Sequence, residues 1–220
     1  MAVTVAKIWS NPPVRNRIMP LCQPKSIEFK DRNHRREAIE LDQFTRRLGD
    51  GDYAALAGVC LDDAEVTVSF EYDLTGTQFP VGIRVRVADW FSTHLFFQRP
   101  NVTLHSIYVQ EDRRGRGVAR EVIFHQAEAA ASFGFTSINA KAIRDNQHDG
   151  YSAAARWGFN APLDQRVKEL LAEPLKDATC LNDLMLTKGG QEFWDDAGGT
   201  VEVKFDLDRS SASWRILGRP

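Results

Sequence analysis

The stretch of chain at residues 101–133 constrains the fold more than any other part of the sequence. Residues 101–109, NVTLHSIYV, are rich in β-branched and aromatic side chains and are soon followed by RRGRG at 113–117. From 118 to 133 apolar side chains recur at helical spacing, and residues 137–143 are again typical of a strand. The order strand, glycine turn, helix, strand predicts a crossover unit that connects two parallel strands.

Weaker periodic patterns extend over much of the remaining chain. The alternation of residues 64–72 and 82–90 predicts two neighbouring antiparallel strands, and the apolar spacing over 33–48 predicts an amphipathic helix that ends before Gly49. Short helices are predicted over residues 151–157, 163–171, 180–186 and 190–197, and a last strand over 200–207. Strands and helices therefore mix along the sequence, as in an α/β or α+β fold.

The length of the chain, 220 residues, favours one sizeable domain with extra terminal elements. Residues 1–32 contain four prolines, which interrupt any long helix, so we expect this segment to be an N-terminal arm packed on or near the domain. We expect residues 33–220 to form a single domain with an extended C-terminal half.

Composition and charge argue against several classes of protein. Hydrophobic residues make up 43% and charged residues 26% of the chain, which is typical of a globular fold. No apolar run reaches the roughly 20 residues that span a bilayer, and the start does not resemble a secretory signal, so we expect a cytoplasmic protein without a membrane partner. Basic and acidic side chains number 28 and 30, and this balance argues against a nucleic-acid partner.

The cysteines and histidines show no metal-ligand spacing. Cys22, Cys60 and Cys180 lie far apart in the sequence and are interpreted as reduced, structural residues. His125 lies inside the predicted helix and His148 in a loop before the next one, and neither has a second ligand at a suitable spacing. We therefore predict no metal site.

The glycine turn has the composition of a phosphate-binding loop. A helix N-terminus presents unpaired backbone N–H groups and the positive end of the helix dipole. Gly115 and Gly117 allow the loop to bring such groups together without side-chain obstruction, and Arg113, Arg114 and Arg116 add positive charge at the same place. The sequence therefore predicts an anion site at the start of the helix over 118–133.

Two segments carry a family resemblance. SIYVQEDRRGRGVAREV resembles the acetyl-CoA-binding segment of GNAT N-acetyltransferases, in which a strand runs into Gln/Arg-x-x-Gly-x-Gly/Ala at the start of a helix. Gly115 and Gly117 match the two glycines, and Asp112 stands at the Gln/Arg position. NQHDGYSAAARWGF resembles the second signature of the family through Asn146 and the Gly-Phe pair that closes it.

The resemblance implies a GNAT-like fold: a mixed, mostly antiparallel central sheet flanked by helices, with one pair of parallel strands that splay apart. Acetyl-CoA would lie between the splayed strands as co-substrate. The backbone of one strand would pair with the pantetheine arm, and the amides of the loop would hold the pyrophosphate. The implied cofactor-binding residues are Ile107, Tyr108, Val109, Arg114, Gly115, Arg116, Gly117, Val118, Ala119 and Asn146.

The activity that the resemblance implies is acetyl transfer to an amine by direct attack on the thioester. A base or an ordered water removes the proton of the amine, and a donor protonates the leaving thiolate. The tyrosine that often serves as the donor is replaced here by Ala154. We therefore take Tyr151, about one helical turn earlier, as the candidate acid and His105, on the strand before the loop, as the candidate base, with a packing role as the alternative for each.

The acceptor is expected to be an amine-bearing small molecule or a protein, and the sequence leaves open whether the chain forms a homodimer. The missing tyrosine also favours an alternative function. In that alternative the protein is a catalytically idle GNAT-fold module that binds CoA or a protein partner.

Overall fold

The computed structural model describes residues 2–3, 26–30, 44, 48–58, 65–72, 81–145 and 150–218. These residues belong to two compact units, Met1–Phe135 and Thr136–Pro220. Most of the helix predicted over 33–48, most of the proline-containing arm, and Cys22, Cys60, Asn146 and His148 lie outside the described residues. The single domain expected over 33–220 stays a prediction.

A mixed sheet forms the centre of the first unit. Its strands pair in chain order; β2 and β3 are parallel, and every other described pair in this unit is antiparallel. The mixed, mostly antiparallel sheet expected from the sequence is therefore confirmed. The strands are β1 Ala2–Val3, β2 Ser26–Lys30, β3 Glu65–Tyr72, β4 Val81–Val87, β5 Phe91–Gln98 and β6 Asn101–Val109.

The two faces of this sheet differ in chemistry. Ile83 and Val85 of β4 and Leu95 of β5 are almost completely buried, and they share one face because side chains alternate along a strand. Arg84 of β4 and His94 of β5 lie directly opposite each other on the other face. The sheet thus has an apolar core face and a polar face, and the polar face carries the histidines described below.

Two helices complete the described part of the first unit, α1 Asp50–Leu56 and α2 Val118–Ser132. They pack on each other, and the buried Gln126 of α2 donates from Nε2 to the carbonyl of Ala57 at 3.1 Å. Four phenylalanines add an aromatic cluster with ring centroids 5.5 to 5.8 Å apart in the recorded pairs. The members of the cluster are Phe44, Phe97, Phe133 and Phe135.

The second unit pairs two strands and adds five short helices. β7 Ser137–Ala142 and β8 Val201–Asp206 are antiparallel. Rings of Phe159, Phe205 and Trp214 pack edge to face in its core. The helices are α3 Gly150–Arg156, α4 Gln165–Glu169, α5 Leu181–Leu186, α6 Gly190–Ala197 and α7 Ala212–Leu217.

Most of the described elements agree with the sequence prediction to within two residues, but the single strand predicted over 82–90 is wrong. The strand ends at Val87, a turn follows in which Ala88 has φ +44°, and a separate strand begins at Phe91. The sequence analysis predicts no strand over Phe91–Gln98, so β5 is an addition. The closing helix α7 was not predicted. No helix in the described ranges is long and apolar enough to cross a membrane.

Candidate functional site

A β-bulge places His105 on the polar face of the first unit's sheet. His94 of β5 pairs with Ser106 and Leu95 pairs with Leu104, so His105 is the extra residue on β6. Leu104 is buried, whereas His105 is exposed. The ring of His105 lies 5.4 Å from the ring of His94 between centroids. The candidate base is therefore accessible and lies on the polar face.

Beyond the bulge, the backbone of β6 presents alternating groups. The amide of Gln110 donates to the carbonyl of Trp90 at 2.7 Å at the end of the β5–β6 pair. Because hydrogen-bonded and non-hydrogen-bonded pairs alternate in antiparallel strands, we infer that the peptide groups of Ile107 and Val109 point away from β5, whereas those of Tyr108 face it. Ile107 and Val109 thus have the orientation that backbone pairing with a ligand requires.

The loop after β6 leads from a 3₁₀ turn into α2. The turn spans Glu111–Arg113, and the amide of Arg114 donates to the carbonyl of Glu111 at 3.1 Å. Gly115 and Gly117 follow in the left-handed region, with φ +75° and +79°. Gly117 is the N-cap of α2, and no side chain caps the helix there.

The start of α2 is open to solvent. Every residue from 110 to 117 is exposed, and a Cβ added to Gly115 or Gly117 would meet no atom within 4 Å. A large ligand can therefore approach the first amides of the helix, where the helix dipole favours an anion. The phosphate site predicted from the sequence at this loop stays a prediction.

Three guanidinium groups stay close to the loop. Arg114 donates from Nε to the carbonyl of Val109 at 3.0 Å, and Arg116 donates to the carbonyl of Asp112 at 3.2 Å. The guanidinium of Arg113 lies 4.8 Å from the ring centroid of Trp90. Next to them is an open pocket of about 540 Å³, lined by Tyr108, Gln110, Glu111, Asp112 and Arg114. The side chain of Tyr108, which the sequence implicated only through its backbone, is 47% exposed here.

Tyr151 has a different environment in the second unit. Its side chain is only 7% exposed, and its hydroxyl donates to the carbonyl of Asp195 at 2.7 Å. The guanidinium of Arg144 lies 4.8 Å from the centroid of its ring. These contacts are those of a residue that packs in the core, which is the alternative role given for Tyr151. To act as an acid, its hydroxyl must first release the carbonyl of Asp195. The assignment of Tyr151 as acid and of His105 as base stays a prediction.

Comparison with protein families decides the family of the chain. The model of the Acetyltransferase (GNAT) family matches residues 33–159, more than half of the 220 residues. The chain belongs to the GNAT acetyltransferase family. A comparison with curated proteins found no significant match.

The GNAT chain also resembles several solved structures at low identity. Nourseothricin acetyltransferase is 20% identical, with 58% of this chain and 89% of its own covered and a TM-score of 0.32. Arabidopsis thaliana Naa50, in complex with the bisubstrate analogue CoA-Ac-MVNAL, is 13% identical, with coverages of 63% and 83% and a TM-score of 0.32. Rv2747 from Mycobacterium tuberculosis, in complex with CoA and NLQ, is 15% identical, with coverages of 80% and 96% and a TM-score of 0.33.

The GNAT loop motif fits the described geometry better in a second alignment. The motif Gln/Arg-x-x-Gly-x-Gly/Ala belongs at the start of a helix, and α2 begins directly after Gly117. Arg114, Gly117 and Ala119 fill its three defined positions. In this alignment the Gln/Arg position is occupied by Arg114 and not by Asp112. The alignment on Gly115 and Gly117 matches two glycines but leaves Asp112 at the Gln/Arg position. Ala119 is the sequence signal for the second alignment.

Proposed function

We propose that this GNAT protein transfers the acetyl group of acetyl-CoA to an amine acceptor by direct attack on the thioester. The observation that carries the proposal is the exposed loop at residues 110–117, which ends in the left-handed N-cap Gly117 of a 15-residue helix. Membership of the family supports acetyl transfer as the reaction, and CoA ligands in two related structures support acetyl-CoA as the co-substrate.

In this proposal the loop and β6 bind different parts of the cofactor. The amides from Gly115 to Ala119 donate to the pyrophosphate, whereas the amide of Arg114 is bonded to Glu111 and its guanidinium neutralises part of the charge. The peptide groups of Ile107 and Val109 pair with the amides of the pantetheine arm. Asn146, which lies outside the described residues, is proposed as a further cofactor contact.

The chemistry needs one proton acceptor and a stable leaving group. The amine nitrogen forms a bond to the thioester carbon, the carbon–sulfur bond breaks, and the acetylated amine loses one proton. His105 is proposed as the group that takes this proton, and its exposure allows it to return the proton to water. Tyr151 is proposed to protonate the CoA thiolate after its hydroxyl leaves Asp195.

The test is release of CoA thiol from acetyl-CoA by the purified full chain. The acceptors are spermidine, L-glutamate, kanamycin and a short peptide with a free N-terminus, which sample small-molecule and protein amines. We expect turnover with at least one of them and a kcat/KM for acetyl-CoA that is roughly ten- to a hundredfold lower in Gly117→Ala. Gly189→Ala, which alters another N-cap glycine, is expected to keep the native value. Binding of acetyl-CoA without turnover of any amine would favour the idle module instead, and neither binding nor turnover would overturn both functions.

A further inference from the structure

A second histidine lies behind the proposed base. His94 of β5 is 5% exposed and pairs across the sheet with Arg84 of β4 and Ser106 of β6. The bulge places His105 beside Ser106, so both histidines lie on the polar face. The mechanism proposed above gives no role to His94.

The contact with Arg84 indicates which ring nitrogen of His94 carries the proton. The Nη2 atom of Arg84 lies 3.4 Å from Nδ1 of His94, within hydrogen-bond distance. A guanidinium group only donates, so Nδ1 must accept, and the ring proton must be on Nε2.

The neutral ring of His94 packs against the ring of His105. The rings of His94 and His105 meet edge to face, at 76°. Phe96 forms a second wall, with its ring centroid 6.0 Å from that of His105 and 4.4 Å from that of His94. An exposed side chain on a bulge normally samples several rotamers, and two adjoining rings restrict that choice.

We propose that His94 is a positioning residue for His105. Held by Arg84 in the neutral Nε2–H form, its ring fixes the orientation of the His105 imidazole toward the amine. The inference rests on the proposed function, because it requires His105 to act as the base. It predicts that substitutions that remove the ring of His94 lower kcat and leave the binding of acetyl-CoA unchanged.

The first test is nuclear magnetic resonance of the histidine rings in the full chain at pH 7. Long-range ¹H–¹⁵N correlations are expected to show His94 with an unprotonated Nδ1 and a protonated Nε2. In His94→Asn, which keeps an acceptor for Arg84 but removes the ring, the His105 signals are expected to move toward those of a free imidazole. A protonated Nδ1 on His94, or unchanged His105 signals in the variant, would overturn the inference without reference to activity.

The second test is a double-mutant cycle on thiol release from acetyl-CoA, with the fastest of the four amines above. His94→Asn is expected to lower kcat about tenfold or more, because small displacements of a catalytic group are costly. His94→Phe keeps the ring and is expected to retain most of kcat. In a His105→Ala background the His94 substitutions are expected to have no further effect, since the group they position is gone.

Each outcome of the cycle has a separate meaning. Additive losses of kcat in the double variants would show that His94 stabilises the fold without positioning His105. They would overturn the inference and leave the proposed acetyl transfer intact. Circular dichroism and acetyl-CoA titration of each variant detect loss of the fold. A native chain that neither binds acetyl-CoA nor releases thiol would overturn the proposed function, and the resonance experiment would still decide the ring arrangement.

Discussion

Two glycines with nearly the same backbone provide a matched pair for testing the phosphate loop. Gly117 is the N-cap of α2 with φ +79° and ψ −3°, and Gly189 is the N-cap of α6 with φ +82° and ψ −4°. A Cβ added at either position would meet no atom within 4 Å. Alanine therefore introduces backbone strain without a clash, and each substitution should lower the free energy of unfolding by about 1 kcal/mol.

The two variants are expected to differ in binding. In the proposed binding mode the methyl group of Gly117→Ala lies where the pyrophosphate approaches the first amides of α2, whereas Gly189 belongs to the other unit. Loss of one charged hydrogen bond is worth about 1.5 to 3 kcal/mol, or roughly ten- to a hundredfold in Kd. Urea unfolding measures the stability of both variants, and calorimetric titration with acetyl-CoA measures affinity. Native affinity in Gly117→Ala, or equal losses in both variants, would refute the reasoning.

Three further substitutions test separate parts of the structure. Arg114→Ala removes a positive charge from the loop, so acetyl-CoA binding should weaken about tenfold and depend less on salt in titrations at two ionic strengths. Tyr151→Phe removes the hydrogen bond to Asp195, so urea unfolding should show a loss of about 1 kcal/mol, and thiol release shows whether kcat falls as an acid role requires. Asp183→Ala removes an acceptor for Thr179 at the start of α5, which should cost about 1 kcal/mol at pH 7.

The effect of Asp183 should depend on pH. Burial alone would raise the pKa of Asp183, but hydrogen bonds from Thr179 and Cys180 outweigh it and hold the pKa below its ordinary value of 3.8. A carboxyl with a lowered folded pKa stabilises the protein above the unfolded pKa, and this contribution disappears as the pH falls through the folded value. The native chain and Asp183→Ala should therefore differ in unfolding free energy at pH 7 and converge toward pH 2. A difference that is independent of pH would contradict this origin.

Local signals were sufficient for the elements around the loop. β6 was predicted with its observed bounds from its β-branched and aromatic side chains. α2 was predicted with an end one residue late from its helical spacing between Gly117 and Gly134. The strand β5 was missed because both of its faces carry aromatic or apolar side chains: His94 and Phe96 lie on the polar face, and Phe97 lies on the core face. A bulge changes the face on which side chains lie and leaves no periodic signal of its own.

The candidate site was predictable where backbone chemistry determines it and less so where side chains from several strands meet. The glycine loop could be identified from its composition, although Ala119 was needed for the alignment that the helix start favours. The contact of Arg84 with His94 could not be predicted, since it depends on the pairing of β4 with β5. The hydroxyl bond of Tyr151 joins residues 44 positions apart, which no local pattern reveals.

Calorimetric titration of the native chain with acetyl-CoA tests the central claim most directly. The exposed amides at the start of α2 and the guanidinium of Arg114 predict saturable binding of one acetyl-CoA per chain with a micromolar Kd. The absence of any binding heat at several temperatures, from a chain shown by circular dichroism to be folded, would contradict the claim that this loop holds the cofactor.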